Sequence, residues 1–340
     1  MKKLLTYLSF ALVVLMLTAC TTGNASKTDE ITMVWYPNES GNDLKAARDE
    51  IGQVIEEVTG KKVDHKLTTD YAIAIETIAN GNADLAFMGA QGYIEAKNKN
   101  GNIEPVVVPS GASGTLEDAV YYSWLAARIA DAEKYKVGGE FSLDTIENTK
   151  FSFVSNSSTS GFKVPSSDIV AHFSQKDQWK ELTAEDLMEG GLFFGEVLYG
   201  DSHQGSAVNL LSERADVAAF CDTCVGNYIE IVEGEENTVG AIYKVKDGAE
   251  EPFNKLYGEQ FQLIHVTPVL NAPIAANTDV IDAEDFKKIQ EALASDDIAN
   301  NEKIFVPDGS DMAGLFSKTA DERFLVVEDA WFDPIRNLSK

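Results

Sequence analysis

Between Ser155 and Gly161 the chain reads Ser-Asn-Ser-Ser-Thr-Ser-Gly, placing five hydroxyl side chains in six positions. The apolar run Phe151-Ser-Phe-Val154 precedes this cluster, and Pro165 opens a helix through about Phe173. The hydroxyls therefore lie between a strand and a helix. Free backbone N–H groups and the positive dipole end at a helix start attract anions, and hydroxyls add donors without adding charge. That chemistry suits holding a small oxyanion. A second constellation is Cys221-Asp222-Thr223-Cys224, whose two sulfurs can form a disulfide, bind a metal or take part in redox exchange, with His203 as a further ligand. No complete metal-ligand set is visible among the four histidines, His65, His172, His203 and His265, and no metal or other cofactor is expected. The chain has no G-x-S-x-G elbow, no H-E-x-x-H and no Walker loop, and its scattered carboxylates nominate no catalytic pair. No enzymatic activity is expected.

These groups need elements to hold them. Thr32 to Tyr36 reads as a strand closed by Pro37, and Leu44, Ala47, Ile51, Val54, Ile55 and Val58 recur at helical spacing before Gly60. Asp70 caps a helix from Tyr71 to Asn80, with Gly81 at its end, and Ala83 to Met88 reads as a short strand. A further helix runs from Ala283 to Ala294, Glu233 to Pro252 reads as an exposed excursion, and the C-terminal tail is less regular. Strand–helix alternation predicts an α/β fold with mostly parallel sheets and crossover helices.

An internal repeat sharpens this. Ala83-Asp84-Leu85-Ala86 recurs 132 positions later as Ala215-Asp216-Val217-Ala218, each copy preceded by a helix and a tight turn. The repeat is either the trace of two similar lobes or the common likeness of any two helix–turn–strand units. In the first case Gly89-Ala90-Gln91 and Cys221-Asp222-Thr223 occupy equivalent places past strand ends, where open α/β sheets bind ligands.

Length and charge bound the rest. A chain of 340 residues suits about two domains, and 44% hydrophobic residues support a packed interior. The balance of 28 Lys+Arg against 55 Asp+Glu, a net −27, excludes a nucleic-acid partner, and three cysteines are too few for a disulfide scaffold. Lys2 and Lys3 precede an apolar run from Leu4 to Leu17, too short for a permanent span and suited to a signal peptide over residues 1–19. Leu17-Thr18-Ala19-Cys20 resembles a bacterial lipobox, which implies cleavage before Cys20, lipidation of that residue and a flexible tether over residues 20–29. The protein is thus expected on the extracytoplasmic face of a cell membrane, held by lipid, where oxidising surroundings favour a Cys221–Cys224 disulfide.

The segment Ser158-Thr159-Ser160-Gly161 with Pro165, preceded by Tyr121-Tyr122-Ser123, resembles the phosphate/phosphite/phosphonate-type substrate-binding proteins of ABC importers. Thr69-Asp70-Tyr71, Gly81-Asn82-Ala83-Asp84 with Gly89 and Tyr93, Gly200-Asp201-Ser202-His203, and Val266-Thr267-Pro268 with Asn271-Ala272-Pro273-Ile274 follow the family order from about Thr32 to Ala294. The resemblance implies a two-lobed type II periplasmic-binding-protein fold with a two-strand hinge. Residues 30–121 and 266–340 form one lobe in this reading, and residues 122–265 the other. It places Ser158, Thr159 and Ser160 on the oxyanion, brings Tyr71 and Tyr121 to it from the first lobe, and makes His203 a further donor or wall residue whose bonds are charge-assisted if it is protonated. Tyr93 is either a cleft residue or a lobe-surface aromatic. Asp222 stands where some family members pair an acid with a ligand amine, or is a turn aspartate. The flanking cysteines depart from the family pattern and leave the ligand open. The partners implied are a small anionic ligand, ABC permease subunits and, through Cys20, the membrane, with the protein a monomer. The rival readings are a binder of some other small metabolite, a surface lipoprotein acting as an adhesin, and a hydrolase or redox protein using Cys221 and Cys224.

Overall fold

The computed structural model describes residues 29–338. The expected signal peptide, Cys20 and nearly all of the expected tether lie outside the described residues. Among the described residues no helix is long and apolar enough to cross a membrane.

Four strands, β1 (Glu30–Trp35), β2 (Lys62–Leu67), β3 (Leu85–Phe87) and β4 (Ile103–Pro109), alternate with helices α1 (Lys45–Thr59), α2 (Tyr71–Ala79) and α3 (Ala90–Lys99). The chain then builds a second sheet. Its elements are β5 (Val120–Arg128), a small hairpin of β6 (Lys136–Val137) and β7 (Glu140–Phe141), β8 (Lys150–Phe153), α4 (Val164–Phe173), β9 (Glu196–Tyr199), α5 (His203–Leu211), β10 (Val217–Cys221), the single turn α6 (Asp222–Val225), β11 (Ile229–Glu233), β12 (Ile242–Val245) and β13 (Gln260–Leu270). Strand β14 (Ile274–Asn277) returns to the first sheet, followed by α7 (Ala283–Leu293), the pair β15 (Phe305–Pro307) and β16 (Phe316–Lys318), and β17 (Phe324–Leu325). The strand orders are β17-β4-β14-β3-β1-β2 and β11-β12-β13-β5-β10-β8-β9. The two lobes are joined twice, between β4 and β5 and between β13 and β14.

Parallel pairing joins β1 to β3 and β8 to both β10 and β9. Strands β5 and β14, which arrive from the other lobe, run antiparallel to β10 and β3. The sheets are therefore mixed rather than mostly parallel, because a strand crossing between lobes enters against the local direction. Side chains alternate between faces as a strand requires. Met33 and Trp35 pack with Ile51 and Ile55 of α1, while Val34 packs with Ile75 and Ile78 of α2. Asp70 caps α2 by accepting from the N–H groups of Ala72 and Ile73, and Gly60 closes α1 at φ +72°, a left-handed position glycine takes without strain.

Two expectations change. The region Glu233 to Pro252 contains β12, whose alternating Ile-Tyr-Lys-Val buries Tyr243 and Val245 between β11 and β13. The tail is also ordered: Phe305, Phe316 and Phe324 join the first lobe's core.

The repeat has a shared hydrogen-bond pattern. Asp84 Oδ2 accepts from the N–H of Thr32 at 2.8 Å, and the Asp84 N–H donates back to the Thr32 carbonyl at 2.9 Å. Asp216 does the same with Lys150, at 2.8 and 2.7 Å. In each lobe an aspartate thereby locks the start of one parallel strand to its neighbour, and the far ends of both strands meet the space between the lobes.

Candidate functional site

Helical structure begins earlier than Pro165 suggests. A wide turn over Thr159–Lys163 runs straight into α4. Pro165 has no N–H to offer the Gly161 carbonyl, which instead accepts from the N–H of Val154 at 3.1 Å. Ser158 is the N-cap, its Oγ accepting from the Gly161 N–H at 3.1 Å. The hydroxyl cluster is thus a helix start, and the first amides after the cap have no intrahelical acceptor.

Tyr71 and His203 open α2 and α5 behind the caps Asp70 and Ser202. His203 Nδ1 accepts the Cys221 N–H at 3.0 Å, so the neutral ring carries its proton on Nε2, 3.3 Å from Ser158 Oγ. Burial pushes the His203 pKa down to about 3. The charged form considered from the sequence is therefore absent near neutral pH, and His203 is an uncharged donor. Tyr71 accepts a hydrogen bond from Asn38 Nδ2 at 2.6 Å, and its ring centroid lies 4.1 Å from that of Tyr36. The Tyr121 phenol stands beside the hydroxyls of Ser160 and Thr159, and burial raises its pKa.

Several bonds cross between the lobes. Asn38 Oδ1 accepts the His203 N–H at 3.0 Å, and the Asn38 carbonyl accepts from Gln204 Nε2 at 3.0 Å. Thr159 Oγ1 accepts the Gln91 N–H at 2.9 Å, capping α3 from the opposite lobe. A Cβ placed on Gly89 would lie 2.8 Å from Thr159 Oγ1, so this approach requires glycine. Ser157 Oγ donates to Glu95 Oε2 at 2.7 Å.

Cys221 and Cys224 are joined by a disulfide, with Cα atoms 5.5 Å apart, across the turn that carries Asp222. Asp222 Oδ1 accepts the Tyr122 N–H at 2.9 Å, and burial pushes its pKa up to about 6. His203 and the two cysteines bring their ligand atoms within 4.8 Å of one another. With the sulfurs bonded to each other, neither supplies the thiolate a metal needs.

The cleft between the lobes has a volume of about 740 Å³ and is lined by Tyr71, Tyr121, Ser158, Thr159, His203 and Asp222. Ser160 lies behind this lining and is buried. Tyr93 is elsewhere: its hydroxyl donates to Asp329 Oδ1 at 2.6 Å and its ring packs on Phe332, because its face of α3 meets the C-terminal segment. Sequence reasoning missed Tyr36, Asn38, Glu39 and Gln204, all of which line the cleft. The polar turn directly after β1 was the available signal, since it too follows a strand end.

Five buried side-chain atoms lack a hydrogen-bond partner among the described residues: Tyr36 Oη, Glu39 Oε2, Ser160 Oγ, Gln204 Oε1 and Asp285 Oδ2. Asp285 Oδ2 has an ion-pair partner, Lys61 Nζ at 2.7 Å. The other four belong to the cleft lining or, for Ser160, to the helix start behind it. Unpartnered buried polar atoms are uncommon, and their concentration here marks a place built for a polar ligand. Among the described residues that line the cleft Lys246 is the only Lys or Arg, so the remaining donors are hydroxyls, amides and a neutral imidazole.

The sequence pattern of the family described as "ABC transporter, phosphonate, periplasmic substrate-binding protein" matches residues 33–331. The phosphate-import protein PhnD of Mycolicibacterium smegmatis is 25% identical over 317 residues, which covers 91% of this chain and 85% of that relative. Among solved structures, a binding-protein component of an ABC phosphonate transporter from Pseudomonas aeruginosa superposes with a TM-score of 0.65 at 19% identity, covering 91% of this chain and 85% of its own. PhnD1 from Prochlorococcus marinus in complex with methylphosphonate gives 0.64 at 14% identity, covering 91% and 97%. These last two likenesses concern the fold.

Proposed function

The chain belongs to the phosphonate-binding family of periplasmic substrate-binding proteins of ABC transporters, a transporter component and not an enzyme, and from that premise we propose that its cleft captures a small phosphorus oxyanion or organophosphonate and delivers it to a permease. The observation that carries this reading is the convergence of unpartnered polar atoms with the Ser158 helix start and the neutral His203 donor. A tetrahedral oxyanion has several acceptor oxygens, each of which needs a donor once water is excluded. Ser158, Thr159, Tyr71, Tyr121 and His203 are the proposed ligand contacts, with Ser160 behind them in the same helix start. Hinge motion about the β4–β5 and β13–β14 connections closes the lobes, and the crossing bonds of Asn38 and Thr159 hold the closed state. The mature protein is a monomer tethered to the membrane through lipid on Cys20.

Calorimetric titration with phosphate, phosphite, methylphosphonate, aminoethylphosphonate and unrelated metabolites tests the assignment. Binding confined to compounds without phosphorus overturns it and leaves the transport role standing. Asp222 favours a ligand with a cationic tail, since its buried carboxyl lines the cleft, anchored by the Tyr122 N–H on Oδ1. Asp222→Asn then weakens aminoethylphosphonate much more than methylphosphonate; equal weakening refutes that pairing.

A further inference from the structure

Glu39 is a buried cleft carboxyl to which the oxyanion reading gives no role. It ends the short turn Pro37–Glu39 after β1, is 8% exposed and lines the cleft. Arg48 Nη1 donates to the carbonyls of Glu39 and Gly41, and among the described residues no ion pair reaches the Glu39 carboxyl. The neighbouring Asn38 amide donates to Tyr71 Oη at 2.6 Å, and the buried Oε2 of Glu39 has no hydrogen-bond partner among the described residues. The groups facing it are Arg48 from α1, Tyr36 at the end of β1, Tyr71 at the start of α2 and Tyr121 from β5.

We propose that Glu39 is a ligand-contacting residue that shares one proton with an oxygen of the bound phosphorus oxyanion. The proposal rests on the oxyanion reading above. A carboxylate and an oxyanion in one buried site repel each other unless a proton lies between them. The unpartnered Oε2 is the atom available to give or take it. A dianion meets a protonated Glu39, or a P–OH monoanion meets the carboxylate; either way the complex holds the same single shared proton.

With the lobes drawn together as here, burial pushes the Glu39 pKa up to about 8, so the carboxyl already holds this proton at neutral pH. Above that value the free protein loses it, and binding must recover it from solvent. Asp222 titrates near 6 and His203 near 3, and burial raises the phenols of Tyr36, Tyr71 and Tyr121, so none of these five groups takes up the proton in that window.

The experiment is calorimetry with methylphosphonate at about pH 9, in two buffers of different ionisation enthalpy, to count protons taken up on binding. Close to one proton is expected for the wild-type protein, with affinity falling about tenfold per pH unit above the Glu39 pKa. Glu39→Gln keeps a donor but cannot titrate, so it takes up none and its affinity is flat. No proton uptake by wild-type protein that binds methylphosphonate overturns the proposal and leaves the ligand reading intact. Failure of the wild type to bind any phosphorus oxyanion at neutral pH overturns both. Because uptake is read on the wild type, the outcome does not depend on the variant folding.

Discussion

Tyr71 and His203 stand 132 positions apart, the offset that also separates Asp84 from Asp216, and each opens a helix behind a capping side chain. Past the next strand the same offset relates Gly89 to Cys221. From there the halves diverge. In the second lobe His203 is held by the Cys221 N–H, and the following turn is closed by a disulfide. In the first lobe Gly89 leads into the long helix α3, whose Gln91 N–H is capped by Thr159 from across the cleft. One half is braced within its own lobe; the other is completed only where the lobes meet. On the reading proposed above, this difference separates rigid recognition, in the second lobe, from closure, in the first.

The largest expected effect tests that division at the paired helix starts. His203→Ala leaves the Cys221 N–H and Ser158 Oγ short of a partner, so affinity for the phosphorus ligand falls about a hundredfold and stability by about 1–3 kcal/mol. Tyr71→Phe keeps the ring on Tyr36 and lowers affinity about tenfold. Calorimetry and denaturant melts compare the two; equal losses would erase the distinction. Next, Gly89→Ala sets a methyl against Thr159 Oγ1, which lowers affinity about tenfold with little change in melting temperature. Unchanged affinity would show that this contact plays no part in binding.

Cys221→Ser with Cys224→Ser probes the braced half alone. Opening so short a loop costs about 2 kcal/mol of stability in a denaturant melt. A further effect is a pH slope. The folded pKa of His203 lies below its ordinary value of 6.5, so the unfolded chain binds more protons between about 3 and 6.5 and stability falls as pH drops through that window. Asp222, raised to about 6, acts in the opposite sense, so the reading is the difference between wild type and His203→Gln. Melts at several pH values should show a shallower acid loss in the variant; parallel curves would mean that His203 is not held neutral.

Much of the architecture was legible because it is local. Asp70 before an apolar helical run, Gly60 after one, and alternation in Thr32 to Tyr36 each act within a few residues. The Ser158 cluster was legible as a hydroxyl-rich link between a strand and a helix, although its helix start at Thr159 depended on where the Gly161 carbonyl found a donor. Tyr93 misled because a helix start near a strand end does not specify which face meets the cleft, and here the contact with Asp329 comes from a segment 236 residues away. Asn38, Glu39 and Gln204 carry no motif; they matter through partners or neighbours on other elements.

The sequence by itself determined the α/β class, the Ala83–Ala86 and Ala215–Ala218 repeat, and a hydroxyl-rich segment set between a strand and a helix. These follow from hydrophobic period, capping chemistry and residue type, which act over short stretches of chain. Tertiary structure decided that His203 is neutral, that Thr159 caps a helix of the opposite lobe, and that Glu39 is buried with a free oxygen in the cleft. Protonation and partnership depend on burial and on which distant groups arrive at a site, and only the folded chain brings those groups together.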